Sequence, residues 1–179
     1  MRKLVSSTII STLLAGGVVA GAAAPASAGC APSPGTGYRI TNKSTVSEPT
    51  SLHSQWVYDN SGGTVGYNDT STASISVSGT AGLGTEAGVL LAKASTSFSV
   101  TVGGSWTWTD SWTYTLPVKN KAGKTKVRLT LFHESKKFKG TKYSYYYDGH
   151  CNYHEKTLWS RWVTAPVKKN NSVWGLEWA

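Results

Sequence analysis

The feature that most constrains this chain is a two-residue alternation of apolar and hydroxyl side chains. In the stretch TSFSVTVGGSWTWTDSWTYTLPV (residues 96–118), every second residue from Phe98 is apolar, aromatic or glycine, apart from Asp110. The residues between them are Ser or Thr, with Gly103 as the exception among residues 97–115. Because the side chains of a β-strand alternate between its two faces, this period predicts a long strand rather than a helix.

A second alternating segment runs from Thr72 to Gly84, with apolar or glycine residues on one side and Ser, Thr or glycine on the other. The two segments flank a short apolar stretch, TEAGVLLAKA (residues 85–94), in which at most a helical turn is expected. We therefore predict an amphipathic β-hairpin over Thr72–Leu116, with the apolar stretch at its tip.

The remaining chain also has the patterns of strands. Short alternating or aromatic segments predict further strands, separated by basic turns before Val127 and around Gly140: Val127–His133, Tyr143–Tyr147, Leu158–Val163 and Val173–Trp178. The predicted fold class is all-β and mainly antiparallel, an elongated sheet or sandwich with one long Ser/Thr-rich hairpin and one disulfide. Residues 29–51, rich in Pro, Gly, Ser and Thr, are expected to form an extended N-terminal arm, and residues 52–179 a single β-rich domain.

The N-terminus has the composition of an export signal. A positive start is followed by an apolar run and by Ala26-Ser27-Ala28, the small-x-small pattern at which signal peptides are cut. Residues 1–28 are therefore predicted to be a signal peptide, cleaved near Ala28 to give a secreted protein. Cys30 and Cys151 are the two cysteines, and in an exported chain they are expected to form a disulfide.

The polar face of the predicted hairpin lacks the Lys and Glu that usually cover the wet face of a sheet. Alternation of apolar and small polar residues is the pattern of a β-barrel wall in lipid, and its aromatic residues fit an interfacial belt. The pattern resembles the insertion hairpin of aerolysin-type β-pore-forming toxins, and that resemblance implies insertion and oligomerisation on a membrane. The residues assigned to contact membrane or partner are Val77, Leu83, Val89, Leu90, Leu91, Phe98, Val100, Val102, Trp106, Trp108 and Trp112.

Two stretches, KASTSFSVTVGGSW and FHESKKF, also make the chain similar to small secreted β-rich proteins of Gram-positive soil bacteria. That resemblance implies export and a β fold but no activity. The alternating pattern is also compatible with two arrangements that involve no membrane. The long strands can fill the core of an ordinary sandwich, or their Ser/Thr rows can be covered by a protein partner.

The net charge of +9 indicates an anionic partner. For an exported protein this is expected to be a lipid surface, a cell-wall polymer or a secreted protein, and not nucleic acid. The lysines expected to contact an anionic surface lie in the two predicted turns: Lys119, Lys121, Lys124, Lys136, Lys137 and Lys139. The same lysines can instead serve as charges that keep sheet edges from aggregating.

No pattern indicates catalysis, a metal or a cofactor. His150, Cys151 and His154 have the spacing of zinc ligands, but Cys151 is expected to be in the disulfide. A serine-hydrolase motif is missing, and no pair of acids is singled out for glycoside cleavage. The many Trp and Tyr residues favour a binding surface. Two functions follow: a non-enzymatic, membrane-active toxin-like protein, or a binding module or adaptor in a larger secreted antibacterial assembly.

Overall fold

The predicted all-β, antiparallel class is confirmed. A computed structural model describes Cys30 and residues 33–58, 63–119 and 121–179, so the predicted signal peptide lies outside the described residues. Within them the chain forms two sheets and one helix. The elements are β1 (Gly35–His53), β2 (Val57–Tyr58), β3 (Thr64–Ser76), α1 (Thr85–Phe98), β4 (Ser105–Pro117), β5 (Lys126–Tyr147), β6 (Tyr153–Pro166) and β7 (Ser172–Trp178).

Strand β5 is the spine of the larger sheet. Strands β1 and β2 pair with one edge of it, and β6 and β7 with the other, all antiparallel. The predicted basic turn around Gly140 is therefore wrong, because Val127–His133 and Tyr143–Tyr147 belong to one continuous strand. The lysines of this segment are accommodated in strand β5 because their long aliphatic chains extend from the sheet toward solvent or toward ion-pair partners.

Strands β3 and β4 form the smaller sheet. They pair without a register shift from Thr64 opposite Pro117 to Ser76 opposite Ser105. Their apolar face packs on the half of β5 that carries Val127, Leu129 and Leu131. The two sheets thus form a sandwich, one of the two predicted architectures, although β3 begins and ends earlier than the predicted segment Thr72–Gly84.

The apolar tip is a helix and not a strand turn. Helix α1 buries Leu90, Leu91 and Ala94 against Phe138 and Val163, in a second core. Residues 77–84 and 99–104, predicted as strand, are loops that lead into and out of this helix. The apolar contact of α1 with the larger sheet overrides the strand pattern in the segments beside it.

Residues 77–104 pass around the edge of the larger sheet. Ser78 forms a two-way backbone bridge with Thr164, and Val100 forms a bridge with Val167. Phe138, under α1, and Leu131, under the hairpin, are an odd number of residues apart on β5, so they point to opposite faces. The hairpin therefore covers one face at one end of the sheet, and α1 covers the other face at the other end.

Of the stretch predicted as an N-terminal arm, residues 35–51 belong to strand β1, within the larger sheet. Cys30 is joined to Cys151, as predicted, with a sequence separation of 121 residues. Such a bridge is typical of proteins that fold in an oxidising or extracellular environment.

Removal of this disulfide should cost much of the stability of the fold. The double variant Cys30→Ser/Cys151→Ser is expected to lose roughly 4–5 kcal/mol of unfolding free energy, because so long a loop restricts the unfolded chain strongly. Urea unfolding followed by tryptophan fluorescence measures the loss. A difference below about 1 kcal/mol would mean that the unfolded chain is not restrained in this way.

Candidate functional site

The outer face of the β3–β4 hairpin is a charge-free array of hydroxyl groups. Cross-strand hydrogen bonds join Thr72 to Thr109 at 2.7 Å and Thr70 to Ser111 at 2.8 Å. The face consists, apart from its ends, of Asn68, Thr70, Thr72, Ser74, Ser76, Ser105, Thr107, Thr109, Ser111, Thr113 and Thr115. The predicted Ser/Thr row is therefore a largely exposed surface, while the apolar row of the same strands packs on the larger sheet.

The inner face of the hairpin holds the aromatic residues assigned to a membrane belt. Trp108 packs on the buried ring of His133, with ring centroids 4.8 Å apart, and Trp112 meets Trp174 edge-on at 5.8 Å. Tyr114 stacks on Trp174 at 6.2 Å. Trp108, Trp112 and Tyr114 thus lie against the larger sheet in this state of the protein.

One of these contacts leaves a polar group unsatisfied. The indole N–H of Trp108 is buried, and no acceptor lies within hydrogen-bond distance among the described residues. A buried donor without a partner costs about 1–3 kcal/mol relative to one that is hydrated. The hairpin is therefore held on the sheet by apolar burial, at some cost in polar contacts.

Helix α1 is docked through two leucines and a glycine. Leu90 is fully buried and Leu91 nearly so. A Cβ atom added to Gly140 would lie 2.5 Å from Cδ2 of Leu90, so Gly140 is required for Leu90 to reach the sheet. Burial of the two leucines contributes about 1.5–3 kcal/mol for each side chain.

The helix itself is weakly encoded. Its N-cap residue is Gly84, with a φ of 52° and no side-chain hydrogen bond to the first turn. Gly88 lies in the interior, where glycine costs about 1 kcal/mol relative to alanine. The last turn carries Ser95, Thr96 and Ser97 and no basic residue. Helix α1 therefore depends on its contacts with the sheet.

Polar contacts add to this docking. The carboxylate of Glu86 forms an ion pair with Lys142 and accepts a 2.8 Å hydrogen bond from the indole N–H of Trp159. These two groups, Lys142 first, lower the pKa of Glu86 from its ordinary value. Lys93, on the same helix, donates a hydrogen bond to the backbone carbonyl of Tyr38 on β1. The cluster of Glu86, Lys142 and Trp159 is called the latch below.

The latch should weaken in acid. Because the folded state lowers the pKa of Glu86, its stabilising contribution is complete above the ordinary glutamate pKa of about 4.3 and is lost as the pH falls through the lowered value. We expect the parent to melt at a higher temperature than Glu86→Gln at pH 7, and the gap to be smaller at pH 3. Thermal unfolding of both proteins at the two pH values measures this. A gap that persists unchanged at pH 3 would contradict the ionic origin.

The predicted anionic-surface lysines are not brought together as one rim. Lys119, Lys121 and Lys124 lie between β4 and β5 at one end of the sheet. Lys136, Lys137 and Lys139 lie more than ten residues along β5, roughly 33 Å away at the rise of a strand. Lys136 forms an ion pair with Glu134. The two groups of lysines would therefore contact an anionic surface separately.

The histidine cluster is occupied by local contacts. Cys151 is in the disulfide, and Nε2 of His154 contacts Oδ2 of Asp148 at 2.9 Å. This contact, with others from Asn152 and His150, lowers the pKa of Asp148 well below its usual range. Among the described residues, no three His, Cys, Asp or Glu side chains are grouped to hold a metal ion.

Comparisons with protein-family models, curated proteins and solved structures found no match. In the described part of the chain, no helix has the length and apolar character needed to cross a bilayer. The strongest candidate site is the hairpin together with residues 77–104, which connect its strands.

Proposed function

We propose that this is a secreted, non-enzymatic, toxin-like protein that inserts Thr72–Leu116 into a membrane as an extended β-hairpin. In this hypothesis, α1 leaves the larger sheet and residues 77–104 continue the β3–β4 ladder toward the tip. An anionic surface, of lipid or cell-wall polymer, is the proposed first contact, and several copies oligomerise on the membrane.

The observation that carries the proposal is the register of the hairpin. The ladder ends at Ser76 opposite Ser105, and Val77 already donates its N–H to the carbonyl of Gly104 at 2.8 Å. Continued without a shift, this register places Leu83 opposite Phe98 and Val89 opposite Ala92. The turn then falls at Leu90 and Leu91, at the centre of the apolar tip.

The same register sorts the whole connection by polarity. One face of the extended hairpin would be apolar except for the facing pair Thr85 and Thr96, and would carry Val77, Gly79, Ala81, Leu83, Ala87, Val89, Ala92, Ala94, Phe98, Val100, Val102 and Gly104. The other face would carry Ser, Thr and Gly, with Glu86 and Lys93 as its charged residues. Apolar residues toward lipid and polar residues toward a lumen are what a membrane barrel requires.

Length and stability support the same proposal. Residues 76–90 exceed the 9–11 residues or so that a tilted strand needs to cross the hydrocarbon core. Release must overcome the docking of Leu90 and Leu91 and the latch. The weak helix and the unsatisfied indole of Trp108 reduce the free energy that holds the docked state. In residues 77–104 the alternating pattern favours a strand, whereas the docked structure consists of loops and helix α1. Such a conflict between local preference and structure favours a change of conformation.

Dye release tests the proposal. The oxidised chain beginning at Gly29 is added to liposomes of phosphatidylcholine alone or mixed with phosphatidylglycerol. We expect leakage, stronger from the anionic liposomes, with SDS-resistant oligomers on the membrane. No leakage at micromolar protein from either composition, at pH 7 or pH 4, would reject pore formation by this protein alone.

The second candidate is a binding module or adaptor of a larger secreted assembly. The exposed hydroxyl array of β3–β4 favours it, since a flat, uncharged surface can be covered by a partner. In that case Thr72→Lys and Thr109→Lys should abolish capture of the partner from culture fluid. The same variants should leave leakage, if any, intact because lysines can face a water-filled lumen.

A further inference from the structure

A second surface lies on the face of the larger sheet that carries the hairpin, at the opposite end. There the odd-numbered residues of β5 from Lys137 to Tyr147 are covered by no described element. A shallow trough crosses this open face. Its lining is entirely polar and consists of Arg39, Thr41, Asn42, Lys139, Thr141, Thr157 and Ser160.

Two irregularities of the strands shape the trough. Strand β1 has an extra residue between Thr41 and Ser44, where Asn42 has a φ of 52°, in the left-handed region. Strand β6 shifts its register opposite Lys142 and Tyr143. Bulges of this kind re-aim side chains and are common at sheet edges and next to active sites. Here they lie on both sides of β5, at the two walls of the trough.

Aromatic rings flank the trough along the strand direction. Trp162, which is 48% exposed, pairs with Lys139 at one end, and Tyr143 pairs with Thr157 at the other. The two positions are four residues apart on β5, or about 13 Å. Tyr143 lies over Gly37, where an added Cβ would be 2.5 Å from the ring. Packing on Gly37 of β1 accounts for the position of Tyr143, but it does not account for the exposure of Trp162.

Positive charge completes the site. Lys139 has no ion-pair partner among the described residues, and Lys137 lies over the ring of Trp162 with its Nζ 5.7 Å from the centroid. Arg39 lies 4.9 Å from the centroid of Tyr143 and pairs with Glu155, the acid of this face. The trough therefore offers more positive than negative charge, together with hydroxyl and amide groups.

We infer that this trough binds an acidic glycan, a sugar chain that carries carboxylate groups. A sugar ring has an apolar C–H face, which can stack on Trp162 or Tyr143, and a rim of hydroxyls, which can bond to Thr141, Ser160 and Asn42. A carboxylate on the same chain would accept hydrogen bonds from Lys139 and Arg39. An acidic peptide fits less well, since the lining offers no aliphatic pocket for side chains.

The binding site does not depend on the proposed membrane activity, and its test uses no membrane. Isothermal titration calorimetry of the oxidised protein with polygalacturonate oligomers is compared with the methyl-esterified, uncharged oligomers. We expect binding of the acid form at least tenfold tighter than that of the ester. Trp162→Ala and Lys139→Gln should each weaken binding of the acid form by tenfold or more.

Matched controls separate the trough from general attraction to a basic protein. Tyr58→Ala and Lys124→Gln remove an exposed ring and an exposed lysine at the other end of the sheet, and both should bind like the parent. Circular dichroism checks that every variant is folded. Equal loss in the control variants, equal binding of acid and ester, or no binding at millimolar ligand would each overturn the inference.

Discussion

Val89→Glu and Val102→Glu are each expected to reduce dye release from liposomes while leaving the protein folded. In the docked structure the two side chains are 51% and 44% exposed, so a carboxylate there should change stability by no more than about 0.5 kcal/mol. On the proposed hairpin both residues would face lipid. A charge on the lipid face costs up to about 2–4 kcal/mol for Lys or Arg at the bilayer midplane, and less for a carboxylate or nearer the interfaces, and every inserted copy bears this cost.

Ser97→Glu is the matched control. Ser97 is also exposed in the docked structure, but the register of the hairpin assigns it to the polar face. It should therefore release dye like the parent. If Val89→Glu and Val102→Glu release dye normally, or if Ser97→Glu is equally inactive, the proposed hairpin register is wrong. Circular dichroism and the melting temperature show whether each variant retains the fold.

Gly140→Val should undock α1. The added carbons would collide with Leu90, whose Cδ2 and Cδ1 atoms lie 2.5 and 2.9 Å from the position of a Cβ atom. We expect a loss of about 2–3 kcal/mol, from overpacking and from exposure of Leu90. Hydrogen exchange should become fast over Thr85–Phe98 and remain slow in β5. Dye release, if the hairpin inserts, should become faster.

Gly88→Ala is expected to act in the opposite direction. Apart from the chain neighbours of Gly88 and the backbone of its own helix, no described atom lies within 4 Å of a Cβ added there, so alanine fits and should stabilise α1 by about 1 kcal/mol. Hydrogen exchange over α1 should slow, and dye release with it. Unchanged exchange in Gly140→Val would show that docking of α1 does not depend on the contact between Leu90 and Gly140, and unchanged exchange in Gly88→Ala would show that it does not depend on helix propensity.

The antiparallel strands and the disulfide could be predicted because each depends on local pattern or on cysteine count. The pairing of β3 with β4 also follows from two segments of the same period. The prediction of a turn around Gly140 was wrong because glycine beside lysines is typical of a turn. The actual reason for a glycine at this position is the close approach of Leu90, which lies far away in the sequence. Long-range packing of this kind leaves no signal in the residues around the glycine.

Helix α1 had a signal that the strand pattern obscured. Its sheet-facing residues are Ala87, Leu90, Leu91, Ala94 and Phe98, at the i, i+3, i+4, i+7, i+11 spacing of one helical face. The neighbouring segments alternate with period two, and residues 85–98 are compatible with both. The polar trough could not have been predicted, because it depends on the register of three strands and on bulges that composition does not reveal.

Because residues 77–104 pass around the edge of the larger sheet, the undocking of α1 and the association of two molecules are coupled. In the docked protein, Ser78, Ser99 and Thr101 exchange backbone hydrogen bonds with the edge formed by residues 164–168. Departure of this segment would leave those edge groups without partners, and a second molecule could satisfy them. Undocking would then be favoured by mass action wherever molecules are crowded. Dilute protein in transit would remain closed, and a dilution series of Gly140→Val, followed by hydrogen exchange over α1, would reveal this dependence on concentration.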